Sequence, residues 1–305
     1  MGKIQIDHTG SGGGITLSSD GTDLLLDGTA VGGGGGGPTF YAETFTATDP
    51  VPTANGTSCF AIGAYSQANA FGTIALGYDV QANSLNSTSI GRNSNGQGSR
   101  TATSLGAMAL GGSYASGVDS FAAAIANNTS SYGATSANSI AMGKNAKATA
   151  ASSIAIGEYS TANSTNAIAM GYVSTASAAY ATCIGRSGTA SGENSSSLGG
   201  RSGLATGESS TTVGGRSNKA YADYAVAMGY WTLANKIGQF SYASGRFSGD
   251  GDAQASKFVL RSDTTDATAE ALTTNNSTAS TNNQVVLPNN SAYAFHGTIV
   301  ARQQA

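Results

Sequence analysis

Glycine recurs along this chain every fourteen residues, each time closing a short phrase: Ile140-Ala-Met-Gly143, Ile154-Ala-Ile-Gly157, Ile168-Ala-Met-Gly171 and Thr182-Cys-Ile-Gly185. An ordinary globular core has no reason to keep such a period, so the chain reads as a repeat array whose units stack like turns of a coil. The same phrase ends at Gly63, Gly77, Gly91, Gly111, Gly199, Gly214 and Gly229, with a degraded copy at Gly245 and Ala126 in place of one glycine. The step is fourteen from Gly63 to Gly91 and from Gly143 to Gly199, fifteen from there to Gly229, and irregular between Gly91 and Gly143.

The residues one and three before each glycine are mostly apolar, and the residue between them is small. That alternation is a short strand with larger side chains on one face and a small one on the other. A second segment carries an alanine five positions after the glycine, as at Ala68, Ala148, Ala162 and Ala176. Where the step grows to fifteen the glycine doubles, at Gly199-Gly200 and Gly214-Gly215, and the alanine moves one further, to Ala205 and Ala220. A bulge or widened turn restores register in this way. The expectation is two strands and two turns per coil, with parallel strands stacked about 4.8 Å apart. The coil core is expected to be thin, with Ile and Leu at one position and Ala and Ser elsewhere. Such a core buries too little apolar area to offset chain entropy, which implies an obligate oligomer with a second buried face.

Repeats such as Asn138-Ser-Ile-Ala-Met-Gly-Lys-Asn-Ala-Lys-Ala-Thr-Ala150 and Ser153-Ile-Ala-Ile-Gly-Glu-Tyr-Ser-Thr-Ala-Asn163 resemble the head repeats of trimeric autotransporter adhesins. The resemblance covers roughly residues 55 to 245. It implies an all-β fold, a left-handed parallel β-roll of about 14-residue coils, with three chains side by side. Small β regions are expected at both ends.

Residues 1–31 hold apolar patches at Ile4 to Ile6, Ile15 to Leu17 and Leu24 to Leu26, separated by Gly, Ser and Asp. They read as short strands of an attachment region. Residues 32–37 are an unbroken glycine run, a flexible joint. Residues 38–57, with Phe40, Tyr41, Phe45, Pro50 and Pro52, are expected to cap the first coil, and 58–245 to form the repeat rod. From 246 to 305 the period is lost. Lys257 to Arg261, Gln284 to Pro288 and Tyr293 to Arg302 read as antiparallel strands of a separate β domain, with a polar loop at Ser262 to Asn283. This segment resembles the β domain that follows such repeats in tail-fibre-like proteins of bacterial viruses, where the domain continues further. The expectation is therefore of a domain cut short at Ala305.

Forty-three glycines with 10% charged and 8% aromatic residues do not describe two ordinary domains in 305 residues, and a phased Ile and Gly pattern argues against disorder. A net charge of −3 gives no electrostatic case for nucleic acid. No apolar run of a secretory signal follows Lys3, and no stretch approaches the roughly 20 apolar residues of a membrane span. The expectation is a chain that reaches the outside without its own export signal and does not insert in a membrane.

Little suggests catalysis, and neither a cofactor nor a metal is expected. His8 and His296 lack metal-ligand neighbours, and Gly10 to Gly14 is not followed by the Lys-Ser/Thr of a phosphate loop. Gly249-Asp-Gly-Asp252 resembles a cation turn without the other ligands of a calcium loop, and a plain β-turn accounts for it better. Cys183 takes a small-residue position as a packed thiol, and Cys59 stands as a possible cross-link between chains.

Three features are candidates for contact. Arg186, Arg201 and Arg216 are fifteen apart, and so are Glu193, Glu208 and Asp223, which makes two vertical ladders. They either face each other, within a coil or across a chain boundary, or are two solvated rows. Tyr65, Tyr78, Tyr159, Tyr172, Tyr230 and Trp231 follow the strand glycines, either as an exposed platform for sugars or as rings lying over the turn. The irregular steps place extra residues at Ser94 to Thr103 and Ala126 to Ser136, expected to project as loops with Arg100 and Tyr132 as receptor contacts.

Two function classes follow. One is a homotrimeric structural fibre of a bacteriophage virion, bound to other virion proteins through its N-terminal region and to a host-surface glycan or protein receptor. The alternative is the head of a bacterial trimeric surface adhesin.

Overall fold

The computed structural model describes residues 4–6, 15–19, 24–26, 29–30, 51–92, 102–123, 131–287, 289 and 291–301. The chain divides into two compact units, Met1–Tyr180 and Ala181–Ala305.

In the first unit, β1 (Ile4–Ile6), β2 (Ile15–Ser19), β3 (Leu24–Leu26) and β4 (Thr29–Ala30) form an antiparallel meander. The three apolar patches supply its first three strands. The glycine run, and residues 38–50 of the expected cap, lie outside the described residues. Thr53–Ala54 already pairs in parallel with Gln67–Ala68, so the stack begins before residue 58.

Each coil has one long and one short strand. In the first unit the long strands include Ile140–Met142, Ile154–Ile156 and Ile168–Tyr172, parallel and in strict register: Ile140 faces Ile154, which faces Ile168. The short strands stack likewise, as Lys147–Ala148, Thr161–Ala162 and Thr175–Ala176 do. In the second unit the long strands are Thr182–Arg186, Ser196–Arg201, Thr211–Arg216, Val226–Tyr230 and Phe240–Ala243. Register shifts between Ile184 and Arg186 and between Val213 and Arg216 mark the expected bulges at the doubled glycines.

The core is thin and made of Ala and Ser as expected, but the Ile and Leu expected at one of its positions are not in it. The buried side of each long strand is the small residue: Ala61, Ala75, Ala141, Ala155 and Ala169 in the first unit, Cys183 and Ala227 in the second, each 0–2% exposed. The Ile, Leu and Met residues that flank them point outward, Ile74 at 38% exposed, Met142 at 39% and Ile184 at 40%. The reason is thickness. The long and short strands of a flat coil face each other across a gap that the short strand's own alanine, such as Ala148 or Ala162, half fills. Inward Ile residues would force the two sheets apart and strand the turns that join them. Among the described residues, Val80 is the largest fully buried side chain.

Hydroxyls and amides fill the remaining inward positions and serve the corner carbonyls. Ser66 Oγ lies 2.9 Å from Ile62 O and 2.5 Å from Gly77 O, and Asn218 Nδ2 donates to Gly214 O at 2.9 Å and Gly229 O at 2.8 Å. Buried carbonyls need such donors. The corner glycine Gly157 is obligatory on two counts: it sits at φ +113°, and a Cβ there would lie 2.1 Å from Gly171 O.

The two segments expected to project are partly in the stack. Ala102 is buried and bridges Ala82 and Ala115, and Gly133–Ala134 is a short strand paired with Lys147–Ala148. The chain thus rejoins the coil within those segments, while residues 94–101 and 126–130 lie outside the described residues. At the other end, Ala255–Lys257 pairs antiparallel with Phe240–Ala243 and closes the open edge of the long-strand sheet. Beyond it, Arg261 and Thr273 form an isolated bridge. The strands expected at 284–288 and 293–302 do not form among the described residues: apolar alternation alone supplies no partner strand.

Candidate functional site

The outward face of the long strands is the first candidate surface. In the first unit it carries two apolar rows, one of Ile140, Ile154 and Ile168 and one of Met142, Ile156 and Met170, none of them buried. In the second unit the row Ile184, Leu198 and Val213 is 38–40% exposed. Covering the exposed remainder of one such side chain is worth roughly 1 to 2 kcal/mol.

The corner after the glycine carries the rings. Tyr65, Tyr78, Tyr159, Tyr172 and Tyr230 are 38–46% exposed. Tyr65 and Tyr159 sit in the left-handed conformation of the turn, with φ of 62° and 58°, and so does Trp231, at 60°. Tyr65 and Tyr78 lie with ring centroids 5.4 Å apart. Cations that the sequence reading did not single out lie over several rings: Arg92 Cζ is 5.5 Å from the Tyr78 centroid, and Lys144 Nζ is 5.8 Å from that of Tyr159. Lys144 also pairs with Glu158 at 3.1 Å, and that hydrogen bond holds its pKa above the usual lysine value. Trp231 is no open platform, because Arg246 Cζ lies 3.4 Å over its ring. Tyr132 is half-buried with Lys147 Nζ 5.0 Å over it, and Arg100 lies outside the described residues. Two further rings, Tyr180 and Tyr224, are each 56% exposed at the other corner of their coils.

The charge ladders take definite places. Register stacks Arg186 beside Arg201 and Arg201 beside Arg216, each exposed at the end of a long strand. Glu193, Glu208 and Asp223 stand in the turns three residues before the next long strands begin. Asp223 Oδ1 accepts from the Glu208 amide at 2.9 Å. The ion pairs seen in this unit lie elsewhere: Asp250 joins Lys219 and Arg246.

The expected turn at residues 249–252 is present, with the Asp252 amide donating to Gly249 O at 3.3 Å. Asp252 accepts from the amides of Phe247, Ser248 and Gly249 at 2.7–2.8 Å, and these hold its pKa below the usual carboxylate value. Both carboxylates of the turn are thus engaged by protein donors. Cys183 is buried in the small-residue row as expected, and Cys59 is half-buried. His296 is exposed and lies outside any strand.

Residues 68–94, 134–160 and 162–187 match the family model of the YadA head domain repeat. Those three stretches are similar to YadA-type head repeats. The same coil architecture continues past the match through the strands Ser196–Arg201, Thr211–Arg216 and Val226–Tyr230. No curated protein matches the chain. YadA-type heads are adhesive, surface-exposed structures that form homotrimers in general.

Proposed function

We propose that this chain is a structural fibre protein of a bacteriophage virion, assembled as a parallel homotrimer and contributing to attachment at the host surface. The observation that carries the assembly is the outward apolar face. Inward positions of the YadA-type coils hold Ala, Ser and Thr, while Ile154, Ile156, Ile184 and Leu198 stand half out of the chain. A face of that composition calls for a protein cover. The virion reading is supported by the order along the chain: the antiparallel meander β1–β4, then six glycines in sequence, then the coils. In this reading β1–β4 meets other virion proteins, and the ring-bearing corners meet a host glycan or protein receptor.

The family match itself favours a second reading, the head of a bacterial trimeric surface adhesin. Gold-labelled antibody against the purified chain separates the two: label on virus particles supports the fibre, and label on the envelope of uninfected bacteria overturns it in favour of the adhesin. Sedimentation of the full chain at high dilution tests the assembly, for which a folded monomer is the fatal result.

A further inference from the structure

Arg186, Arg201 and Arg216 close the strands Thr182–Arg186, Ser196–Arg201 and Thr211–Arg216 and stack in register. Glu193 and Glu208 precede the second and third of these strands by three residues, and Asp223 precedes Val226–Tyr230 by three. The two rows therefore flank opposite ends of the same strands. Within one chain the long strands Ser196–Arg201 and Thr211–Arg216 thus lie between the arginine row and the acid row.

Two further observations point to a second surface. In these coils the outward face loses one of its apolar rows: Thr182, Ser196 and Thr211 stand where the first unit has Ile140, Ile154 and Ile168. Charge arrives where apolar cover is withdrawn. Three other cations of this unit have partners elsewhere. Lys219 and Arg246 are held by Asp250, and Lys236 Nζ donates to Thr281 O at 2.6 Å.

We propose that the arginine row of one chain docks on the acid row of a second copy, so that copies meet arginine edge to acid edge around a ring. This rests on the homotrimer reading and adds which edges meet. Each copy offers one edge of each sign, which makes the contact heterologous and lets it close on itself. Spaced charges also fix axial register, since sliding by one coil leaves one arginine and one acid unmatched. Asp223 uses Oδ1 for the Glu208 amide and keeps Oδ2 for the neighbour.

Sedimentation velocity of the full chain tests this with three variants: Arg186→Glu, Arg201→Glu and Arg216→Glu together; Glu193→Arg, Glu208→Arg and Asp223→Arg together; and all six. Each one-row reversal should cut the trimer fraction at fixed chain concentration by about tenfold, and the six-residue swap should restore most of it. Raising the salt to about 1 M should weaken the wild-type trimer and have less effect on the one-row variants. If a reversed row prevents folding, recovery in the swap still reports that the rows pair with each other. A swap no better than its parents, or reversals that leave a wild-type trimer unchanged, overturns the proposal. A wild-type chain that sediments as a monomer overturns the homotrimer reading beneath it.

Discussion

The Thr212 hydroxyl donates to the Ser197 hydroxyl at 3.0 Å inside the second unit, and Gly203 leaves the space that this pair occupies. A Cβ at Gly203 would come within 2.6 Å of Ser197 Oγ and 2.7 Å of Thr212 Oγ1. In the first unit the corresponding columns hold Ala155 and Ser160, the small residue on the long strand and the hydroxyl opposite it. The coil keeps its inward volume and exchanges which side supplies it. Gly203→Ala should therefore lower stability by roughly 1 to 3 kcal/mol, and adding Thr212→Ala should return much of the loss. Denaturant unfolding of the three variants reads the coupling; strictly additive losses would show that the two columns do not share one space.

The assignment of the two strand faces makes a separate prediction. Ala155→Leu should cost about 3 kcal/mol or prevent the coil from forming. Ile156→Thr, on the outward face, should leave the coil's β signal intact while weakening assembly. Circular dichroism and sedimentation on both variants distinguish them, and equal loss of β signal would contradict the assigned faces.

What could be read from the sequence, and what could not, divides along physical lines. The strands, the corner glycines and the bulges at Gly199-Gly200 and Gly214-Gly215 follow from period and alternation, and so does the stacking of Arg201 on Arg216. Which side of the strand faces in does not: alternation distinguishes two faces and is silent on which one meets the short strand. Volume decides that, and the uniform Ala at the second strand was the available clue. The cation over Tyr78 was also within reach, because Arg92 follows it by fourteen residues and therefore sits beside it in register. Arg246 over Trp231 was not, since the fifteen positions that separate them cross the point where the period ends.

Val173 occupies left-handed backbone at φ 55°, where a β-branched residue is strained. Its amide donates to Glu158 O at 2.9 Å, so any residue that keeps its N–H preserves the bond. Asn145, at the same place two coils earlier, shows what the position prefers. Val173→Asn should raise stability by about 1 kcal/mol, seen as a higher unfolding midpoint; an unchanged or lower midpoint would contradict the strain.

Asp250 links the last coils to the segment that follows them, through Lys219 and Arg246. Burial alone would raise its pKa, but hydrogen bonds from the two cations outweigh this and hold it below the ordinary 3.8. The stabilisation is therefore full above the unfolded value and is lost as pH falls through the depressed folded one. Lys219 behaves oppositely: its hydrogen bond to Asp250 outweighs burial and raises it above 10.5, so its contribution is full below 10.5 and lost as pH rises through the raised value. Melting across pH should show both losses in the wild type, and Asp250→Asn should flatten both limbs. A variant with the same acid and alkaline limbs as the wild type would remove this triad as their cause.

Asn55, Asn69 and Asn83 form a ladder along the first coils, Asn55 Nδ2 to Asn69 Oδ1 at 2.9 Å and Asn69 Nδ2 to Asn83 Oδ1 at 2.7 Å. Asn69→Ala removes both bonds at once and should cost about 1 to 2 kcal/mol, whereas Asn55→Ala removes one and should cost about half as much. Equal losses would mean that the amides do not act in series.

The register that places Ile140 beside Ile154 and Ile154 beside Ile168 repeats without drift. One coil can be copied or deleted and the strands on either side meet the same pattern of donors, acceptors and small side chains. Length is then set by copy number rather than by the chemistry of any coil, in increments of about 4.8 Å. A lineage can change how far such a shaft reaches by duplicating fourteen codons, and leave its cross-section and its end pieces untouched.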